Sequence, residues 1–265
     1  MLDDSLESAH SDTLDWQRVA QARAGARVGA AVVYYPSIGS TNTAARALAR
    51  EGTRDGTVVL ADEQTRGRGR HGRRWTAPPR SGLAVSILLR PAAGFPLYTL
   101  TMAAALAASD AVRALVGPRC LLKWPNDVLI DGMKVGGILL ELDQSGPSWT
   151  VVIGIGLNVN AAPDLSGVGS LGTAMGHPIA REPLLIDLLA RLETSVALGA
   201  REPAAILRLW RDRIVTLGQA VRVTAPDGVF AGVACDVDAE GALLVRLRDD
   251  TTRTVHAGDV TLSSQ

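Results

Sequence analysis

The apolar positions of the chain follow two patterns that alternate along most of its length. Short apolar runs of strand length occupy 32–35, 57–64, 83–90 and 149–159. Longer segments with helical spacing or an alanine- and leucine-rich composition occupy 98–116, 183–198 and 203–217. This succession of strands and helices predicts a domain built around a sheet.

The pattern changes after Gly218. Short alternating segments, separated by turn residues, occupy 220–224, 229–237, 242–247 and 251–256. They predict a small all-β module, which is too small for a large core of its own. We therefore expect this module to pack on the rest of the chain.

A length of 265 residues accommodates one large domain and a small module. We predict an N-terminal arm at 1–29, a sheet-containing domain at 30–216 and a C-terminal β domain at 217–265. The arm is polar, with weak helical periodicity around 14–22, which predicts a surface helix or a mobile arm. Nothing in it resembles a DNA-reading helix-turn-helix.

Charge is balanced overall but concentrated in one place. Lysine plus arginine and aspartate plus glutamate both total 27, which disfavours general nucleic-acid binding. Residues 65–75, here called the arginine loop, contain five arginines and three glycines between two predicted strands. Glycines let backbone amides approach an anion, and guanidinium groups match carboxylate and phosphate. The segment is an anion-binding loop, which we favour, or a solvated basic loop.

Cysteine use and the N-terminal sequence predict a cytoplasmic protein. Cys120 and Cys235 lie far apart, and the chain starts without the basic region and apolar run of a signal peptide. We expect no apolar run of membrane-spanning length, because Asp110, Lys123 or Asp127 interrupts the longest candidates. The four histidines are scattered, so we do not expect a structural zinc site.

Polar residues and glycines occur at places where a predicted element begins or is interrupted. Ser40, Thr41 and Asn42 precede a helix, where they cap the helix or bind a small polar ligand. Gly154 and Gly156 interrupt a strand, either as bulges or as a place where a flat ring lies against the sheet. Both alternatives stay open in each case.

A second polar group surrounds a predicted hairpin turn at Asp131-Gly132. The flanking residues are Lys123, Asn126, Asp127 and Lys134. The chain has no serine or cysteine nucleophile with a neighbouring histidine and acid, and no carboxylate pair suited to hydrolysis. Cationic side chains and Mg²⁺ instead suit attack of an anion on a nucleoside triphosphate. Phosphoryl or nucleotidyl transfer is the predicted class, and the lack of a Walker sequence disfavours a P-loop kinase.

Five motifs occur in the order and spacing of the biotin protein ligases. They are Ser40-Thr41-Asn42, Gln64 with Gly67-Arg68-Gly69-Arg70-His71-Gly72-Arg73, Lys123-Trp124-Pro125-Asn126-Asp127, Lys134-Val135-Gly136-Gly137-Ile138-Leu139 and Gly154-Ile155-Gly156-Leu157-Asn158. The chain resembles this family from about Val32 to its end. The resemblance implies an α+β fold, with a mixed-sheet catalytic domain of the biotin/lipoate ligase superfamily, similar to class II synthetases, and a small C-terminal SH3-like β-barrel.

The resemblance also implies a two-step reaction. Biotin and ATP, with Mg²⁺, give biotinyl-5′-AMP, and a lysine of a biotin carboxyl carrier domain of an acyl-CoA carboxylase then accepts the biotinyl group. A ligand-dependent homodimer is a further expectation. Neither DNA nor membrane binding is expected, because no counterpart of the N-terminal DNA-binding domain of repressor-type members precedes the first core strand.

Roles for individual residues are carried over from the family motifs. The implied catalytic residues are Lys134, Arg68 and Arg70. The implied biotin-binding residues are Ser40, Thr41, Asn42, Gln64, Arg68, Gly69, Arg70, Lys134, Gly137 and Gly156, the two last giving room for the rings. The implied ATP- or adenylate-binding residues are Arg70, Arg73, Trp75, Lys123, Asn126, Asp127 and Asn158. No residue is assigned as a metal ligand.

Some alternatives remain. His71 stands where many family members carry an arginine, and its role stays open. Lys123 is either a ligand contact or a strand lysine that reaches solvent. A lipoate ligase and a non-catalytic module that holds an anion are the competing functions. We also expect the arginine loop to be mobile without ligand, because ordering each residue costs about 1–2 kcal/mol of backbone entropy.

Overall fold

The structure, a computed structural model, describes residues 14–145, 148–226 and 228–262. Residues 1–13 of the predicted arm lie outside this part of the chain. Seven strands form the larger sheet: β1 (Val32–Tyr35), β2 (Val58–Ala61), β3 (Gly82–Leu89), β4 (Cys120–Lys123), β5 (Asp127–Ile130), β6 (Met133–Ser145) and β7 (Ser148–Asn158). Their order is β1-β2-β3-β7-β6-β5-β4. Only β1 and β2 pair in parallel among these neighbours, so the predicted mixed sheet is confirmed.

Helices pack on this sheet. They are α1 (Trp16–Ala22), α2 (Thr41–Arg50), α3 (Thr99–Val116), α4 (Leu171–Met175), α5 (Arg181–Arg201) and α6 (Pro203–Arg211). The N-terminal α1 packs on α5 and β1 through the buried Val19, as expected of a surface helix. On the same side, α3 and α5 cover the sheet with the large apolar core.

The segment Thr99–Arg119, which contains α3, is long and apolar enough to cross a membrane by length and composition. The expectation that no run would meet this criterion is therefore wrong. Of the apolar stretch of this segment, 67% is buried inside the protein. Helices in the core of a globular protein often have this composition. Packing between the sheet and α5 accounts for its apolar character.

The predicted helix 203–217 is too long, since α6 ends at Arg211. The apolar residues beyond it serve an extended segment instead. The backbone of Leu122 in β4 accepts a hydrogen bond from Val215 at 2.8 Å and donates one to Arg213 at 2.9 Å. The apolar spacing therefore continues past Arg211, although the backbone changes there from a helix to a segment that pairs with a strand.

The C-terminal module is a five-stranded antiparallel sheet. It comprises β8 (Ala220–Ala225), β9 (Gly228–Val237), β10 (Leu243–Arg246), β11 (Thr252–Val255) and β12 (Asp259–Leu262), in the order β11-β10-β9-β8-β12. Over the described residues β11 and β12 do not pair, so the SH3-like domain is not a closed barrel. The module packs on the large domain, as expected: Trp124 Nε1 donates to the carbonyl of Gly241 at 3.0 Å.

Candidate active site

A cavity of about 350 Å³ opens on the large sheet beside the N-terminus of α2. The arginine loop and the turn between β4 and β5 form its walls, and β12 of the C-terminal domain reaches its rim. Every residue that the sequence assigned to a substrate lines this cavity. They are Ser40, Thr41, Asn42, Gln64, Arg68, Gly69, Arg70, Arg73, Trp75, Lys123, Asn126, Asp127, Lys134, Gly137, Gly156 and Asn158. The structure thus brings the predicted residues together, while their roles stay predictions.

Neutral hydrogen-bonding groups form one end of the cavity, which we call the amide end: Ser40, Thr41, Asn42 and Gln64. The side-chain oxygen Oε1 of Gln64 accepts from the backbone N of Thr41 at 2.8 Å and from its Oγ1 at 3.1 Å. Ser40 is the residue before α2, but its side chain makes no capping hydrogen bond. The capping interpretation is therefore wrong for Ser40, and Thr41 and Asn42 lie within the first turn.

Ser86 was missed by the sequence analysis. Its hydroxyl is fully buried and lies 2.6 Å from Asn42 Oδ1 and 2.8 Å from Thr41 Oγ1. A single hydroxyl inside the apolar strand β3 was the available signal, because a buried polar group needs a partner.

Glu141 on β6 was also missed. Its Oε2 accepts from Asn42 Nδ2 at 2.8 Å, and its Oε1 lies 3.0 Å from Arg68 Nη1. A second arginine, Arg46, lies 3.6 Å from the same oxygen. In the sequence, Glu141 is marked only as an acidic residue after the apolar segment 138–140. This position does not reveal that Asn42 and Arg68 are its partners.

Three glycines of the sheet differ in what they leave room for. A Cβ at Gly154 would lie 2.2 Å from Asn42 Oδ1, and one at Gly156 would lie 2.5 Å from the indole of Trp75. The strand keeps a regular register through both, so neither is a bulge. The room at Gly156, assigned to biotin, is taken by Trp75. At Gly137, by contrast, the nearest atoms are at 3.6 Å.

The arginine loop folds back on itself through its backbone. Gly69 N donates to the carbonyl of Arg73 at 2.7 Å, and Trp75 N donates to that of Gly67 at 3.0 Å. A short 3₁₀ turn lies at its tip, where His71 has a φ of 53°. The loop is therefore built as a narrow turn.

Acids from distant elements pair with two of the loop arginines. Arg68 pairs with Glu141, and Arg73 pairs with Asp259 of β12. Both partners are remote in sequence from the arginines that they neutralise. β12 itself was not predicted as a strand.

Cationic side chains line the rest of the cavity, which we call the cationic end: Arg68, Arg70, Arg73 and Lys134. Arg68 lies at the border with the amide end, because Glu141 contacts both Arg68 and Asn42. Arg70 Nη1 donates to Asn126 Oδ1 at 3.3 Å. Burial lowers the pKa of the Arg70 guanidinium, and the carboxylates of Asp259 and Asp127 oppose this shift. Arginine still stays protonated, so Arg70 brings a fixed positive charge into the cavity.

Lys134 and Asp127 form an ion pair at the mouth of the turn, with Nζ 2.5 Å from Oδ1. Both side chains are partly buried. Antiparallel pairing explains their proximity, because Leu129 of β5 pairs with Lys134 and Asp127 pairs with Gly137. Lys134 is therefore held beside Gly137, where an added Cβ would make ordinary contacts with Lys134 and Asp127.

Asn158 and Lys123 complete the lining. Asn158 is 1% exposed, and its Nδ2 donates to the carbonyl of Gly169 at 3.1 Å. Its Oδ1 has no hydrogen-bond partner within the described residues. A buried acceptor without a partner is costly, so this atom suits a ligand donor. Lys123 is half-buried at the end of β4.

Within the described ranges, no group of three or more His, Cys, Asp or Glu side chains is placed to hold a metal ion. The two carboxylates on the cavity, Asp127 and Asp259, are each paired with a cation. Mg²⁺ commonly takes one or two carboxylates together with substrate phosphates. The site therefore fits a metal that arrives with a phosphate-bearing substrate.

Comparison with known proteins gives a consistent result. The model of the Biotin/lipoate A/B protein ligase family matches residues 34–158, and that of the Biotin protein ligase C terminal domain matches residues 216–263. A biotin–[acetyl-CoA-carboxylase] ligase of Mycobacterium tuberculosis is 37% identical over 84% of this chain and 85% of its own length. The enzyme of that name from Paracoccus denitrificans is 38% identical over 78% and 90%.

A solved structure agrees with the fold. The biotin protein ligase of Aquifex aeolicus, in complex with biotin and ATP, superposes with a TM-score of 0.76 at 25% identity. The match covers 89% of this chain and 99% of that one. The chain described here belongs to the biotin protein ligase family.

Proposed function

We propose that this protein activates biotin with ATP as biotinyl-5′-AMP and transfers the biotinyl group to a lysine of a biotin carboxyl carrier domain of an acyl-CoA carboxylase. One observation carries the proposal: a single cavity joins a neutral amide end to a cationic end. Biotin has the matching polarity, with a neutral ureido group at one end and a carboxylate at the other.

At the amide end, the available groups suit a ureido ring. Gln64 Oε1 already accepts two hydrogen bonds from Thr41, so its Nε2 is left to donate. Ser40 has a hydroxyl that is not used for capping. A site that matches ureido donors and acceptors rejects acids without them, since its buried polar groups would lose their partners.

At the cationic end, Lys134 and Arg70 stabilise charge during adenylate formation. A carboxylate oxygen of biotin attacks the α-phosphorus of ATP, and the bond from this phosphorus to the departing pyrophosphate breaks. Fixed cations lower this barrier by balancing the charge of two anions. Mg²⁺ bound with ATP would help to screen the phosphate charge, and Asp127 is a cavity carboxylate that would hold it. In the second step the carrier lysine attacks the acyl carbon, and AMP leaves.

The adenylate half of the cavity offers complementary groups. Arg73, Asn126 and Lys123 are assigned to the phosphates and ribose, and Trp75 offers an aromatic face. The unpartnered Oδ1 of Asn158 suits the amino group of adenine. This is the only strongly buried acceptor without a partner among the described lining residues.

The arginine loop covers the adenylate in this proposal. A mixed anhydride hydrolyses when water reaches it, so closure protects the intermediate. Arg68 and Arg70, together with Gly69, would hold the closed loop against the ligand. A second cavity of about 380 Å³ shares Arg70 and Asn126 and opens between the two domains. It gives the carrier lysine a route to the acyl carbon.

The remaining expectations belong to this proposal as well. We assign the protein to the cytoplasm, in keeping with its two widely spaced cysteines. A ligand-dependent homodimer and a ligase without repressor activity are both part of this proposal. Size-exclusion chromatography with and without biotin and ATP checks the first, and DNA binding by the liganded protein would contradict the second.

Exchange of radioactive pyrophosphate into ATP tests the proposed function. Biotin should support the exchange and lipoate should not, and adding a carboxylase carrier domain should give a biotinylated lysine. Exchange with lipoate alone would favour a lipoate ligase. Nucleotide binding without any exchange would favour a non-catalytic binding module.

A further inference from the structure

We propose that Glu141 is a positioning residue that couples the amide end of the cavity to the arginine loop. The proposal rests on the function above, because its readouts use biotin and ATP. Glu141 lies on β6, and its side chain is only 13% exposed. Its two carboxylate oxygens serve two different parts of the site, which is the geometry that a coupling residue requires.

One oxygen of Glu141 fixes the amide of Asn42. Asn42 Nδ2 donates to Oε2 at 2.8 Å, while Asn42 Oδ1 lies 2.6 Å from the hydroxyl of Ser86. Because a carboxylate only accepts hydrogen bonds, it forces the NH₂ side of the amide toward β6. The second N–H of Asn42 is then the group left for a ligand, and it selects an acceptor such as a ureido oxygen.

The other oxygen of Glu141 holds the start of the arginine loop. Arg68 Nη1 lies 3.0 Å from Oε1. At the far side of the loop, Arg73 pairs with Asp259 of the C-terminal domain. Arg70 lies between these two anchors and faces Asn126 inside the cavity. The Glu141 ion pair therefore aims Arg70 at the ligand without touching the ligand itself.

These two contacts make one continuous path. A ligand that binds Asn42 restrains its amide, the restrained amide orients the Glu141 carboxylate, and the oriented carboxylate favours the Arg68 ion pair. Biotin at the amide end would in this way favour closure of the loop at the cationic end. Removing the charge of Glu141 should weaken both effects together.

A different role for Glu141 would be simple neutralisation of nearby arginines. Asp143, two residues further along β6, does only that among the described residues. Its Oδ2 lies 3.4 Å from Arg46 Nη2 and 3.2 Å from Arg50 Nη2. Over the described part of the chain, it makes no hydrogen bond or ion pair with Asn42 or the arginine loop. Asp143→Asn is therefore a matched control for Glu141→Gln.

Steady-state pyrophosphate exchange and carrier-free AMP formation test the proposal on the full chain. Glu141→Gln should raise the biotin KM by about tenfold, since charge-assisted hydrogen bonds are lost, and change kcat less. It should also raise AMP formation without carrier, because an unclosed loop admits water to the adenylate. Asp143→Asn should stay within about twofold of the wild type in both measurements.

A double-mutant cycle separates coupling from general damage. Arg68→Gln should raise carrier-free AMP formation as much as Glu141→Gln does. The double variant should form AMP no faster than either single variant, because the same ion pair is lost in all three. Three results would overturn the proposal. They are additive increases of carrier-free AMP formation in the double variant, equal effects of Asp143→Asn and Glu141→Gln, and a Glu141→Gln variant with normal biotin KM and normal AMP formation. A wild-type chain without biotin-dependent exchange would instead overturn the proposed function.

Discussion

The two ends of the cavity differ in how their side chains are held. At the amide end, Ser40, Thr41 and Asn42 are at most 4% exposed and project from the first turn of a helix against a strand. At the cationic end, Arg68 and Arg73 are 45% and 60% exposed and are held by ion pairs. The Arg73–Asp259 ion pair is exposed on both sides and contributes about 0–1 kcal/mol, so phosphate can displace it readily. One end is therefore preorganised, and the other is arranged to be completed by an anion.

A buried ion pair behind the amide end sharpens this contrast. Arg181 Nη1 lies 2.9 Å from Asp62 Oδ1, and the two side chains are 0% and 4% exposed. Asp62, which lies two residues before Gln64, also accepts a hydrogen bond from Tyr34 Oη at 2.8 Å. Arg181→Met should lower the free energy of unfolding by about 3–5 kcal/mol, because it leaves Asp62 in the core without its charge partner. Denaturant unfolding measures this loss.

Arg119→Met is the control for that experiment. Arg119 pairs with Asp131 on the surface, where both side chains are more than two-fifths exposed, so its loss should change stability little. Equal destabilisation of the two variants would show that the end of β2 is not supported from the core.

Two glycines of the sheet test the rigidity of the amide end. Gly154→Ala places a methyl group 2.2 Å from Asn42 Oδ1, and overpacking of this kind costs about 1–3 kcal/mol. We expect a less stable protein with a raised biotin KM. The methyl group of Gly137→Ala would lie no closer than 3.6 Å to other protein atoms. This variant should keep the stability of the wild type, and its biotin KM should rise only if the biotin rings lie against Gly137.

Calorimetric binding of biotin together with thermal unfolding separates these two outcomes. A Gly154→Ala variant with normal stability and normal biotin affinity would mean that Asn42 is free to move. The amide end would then not be preorganised.

At the cationic end, Lys134→Ala should slow both half-reactions by more than about tenfold, which is about 1.4 kcal/mol of barrier each. The ammonium balances charge in both, and its loss also leaves Asp127 as an unpaired anion beside the phosphates. Single-turnover measurements of adenylate formation and of transfer to the carrier domain check this. Unchanged rates in both steps would remove Lys134 from the catalytic residues.

The sequence allowed much of the fold to be predicted, because its elements have strong local signals. The apolar run 83–90 became β3, the alanine-rich segment 98–116 became α3, and both positions of the Asp131-Gly132 turn have positive φ as a primed turn requires. Where the spacing was ambiguous, long-range pairing decided. Residues after Arg211 continue the apolar pattern of α6 but pair with β4.

The members of the site could also be predicted, whereas their contacts could not. Motif residues such as Gln64 and Lys134 line the cavity as expected. Glu141 and Asp259 belong to none of the motifs, and their partners lie about seventy or more residues away. Ion pairs between remote elements follow from the tertiary fold, and a single sequence carries no local signal for them.

Limited trypsin digestion of the arginine loop tests most directly whether the cationic end is completed by ligand. Cleavage after the loop arginines should be fast in the free protein, slower with biotin, and about tenfold slower with biotin and ATP together, because cleavage follows the open population. Biotin alone should protect the loop partly, because it binds the amide end. The adenylate should protect it further, because its phosphate binds the loop arginines. Equal cleavage rates in the free and the doubly liganded protein would contradict closure of the loop and the protection of the adenylate assigned to Arg68 and Arg70.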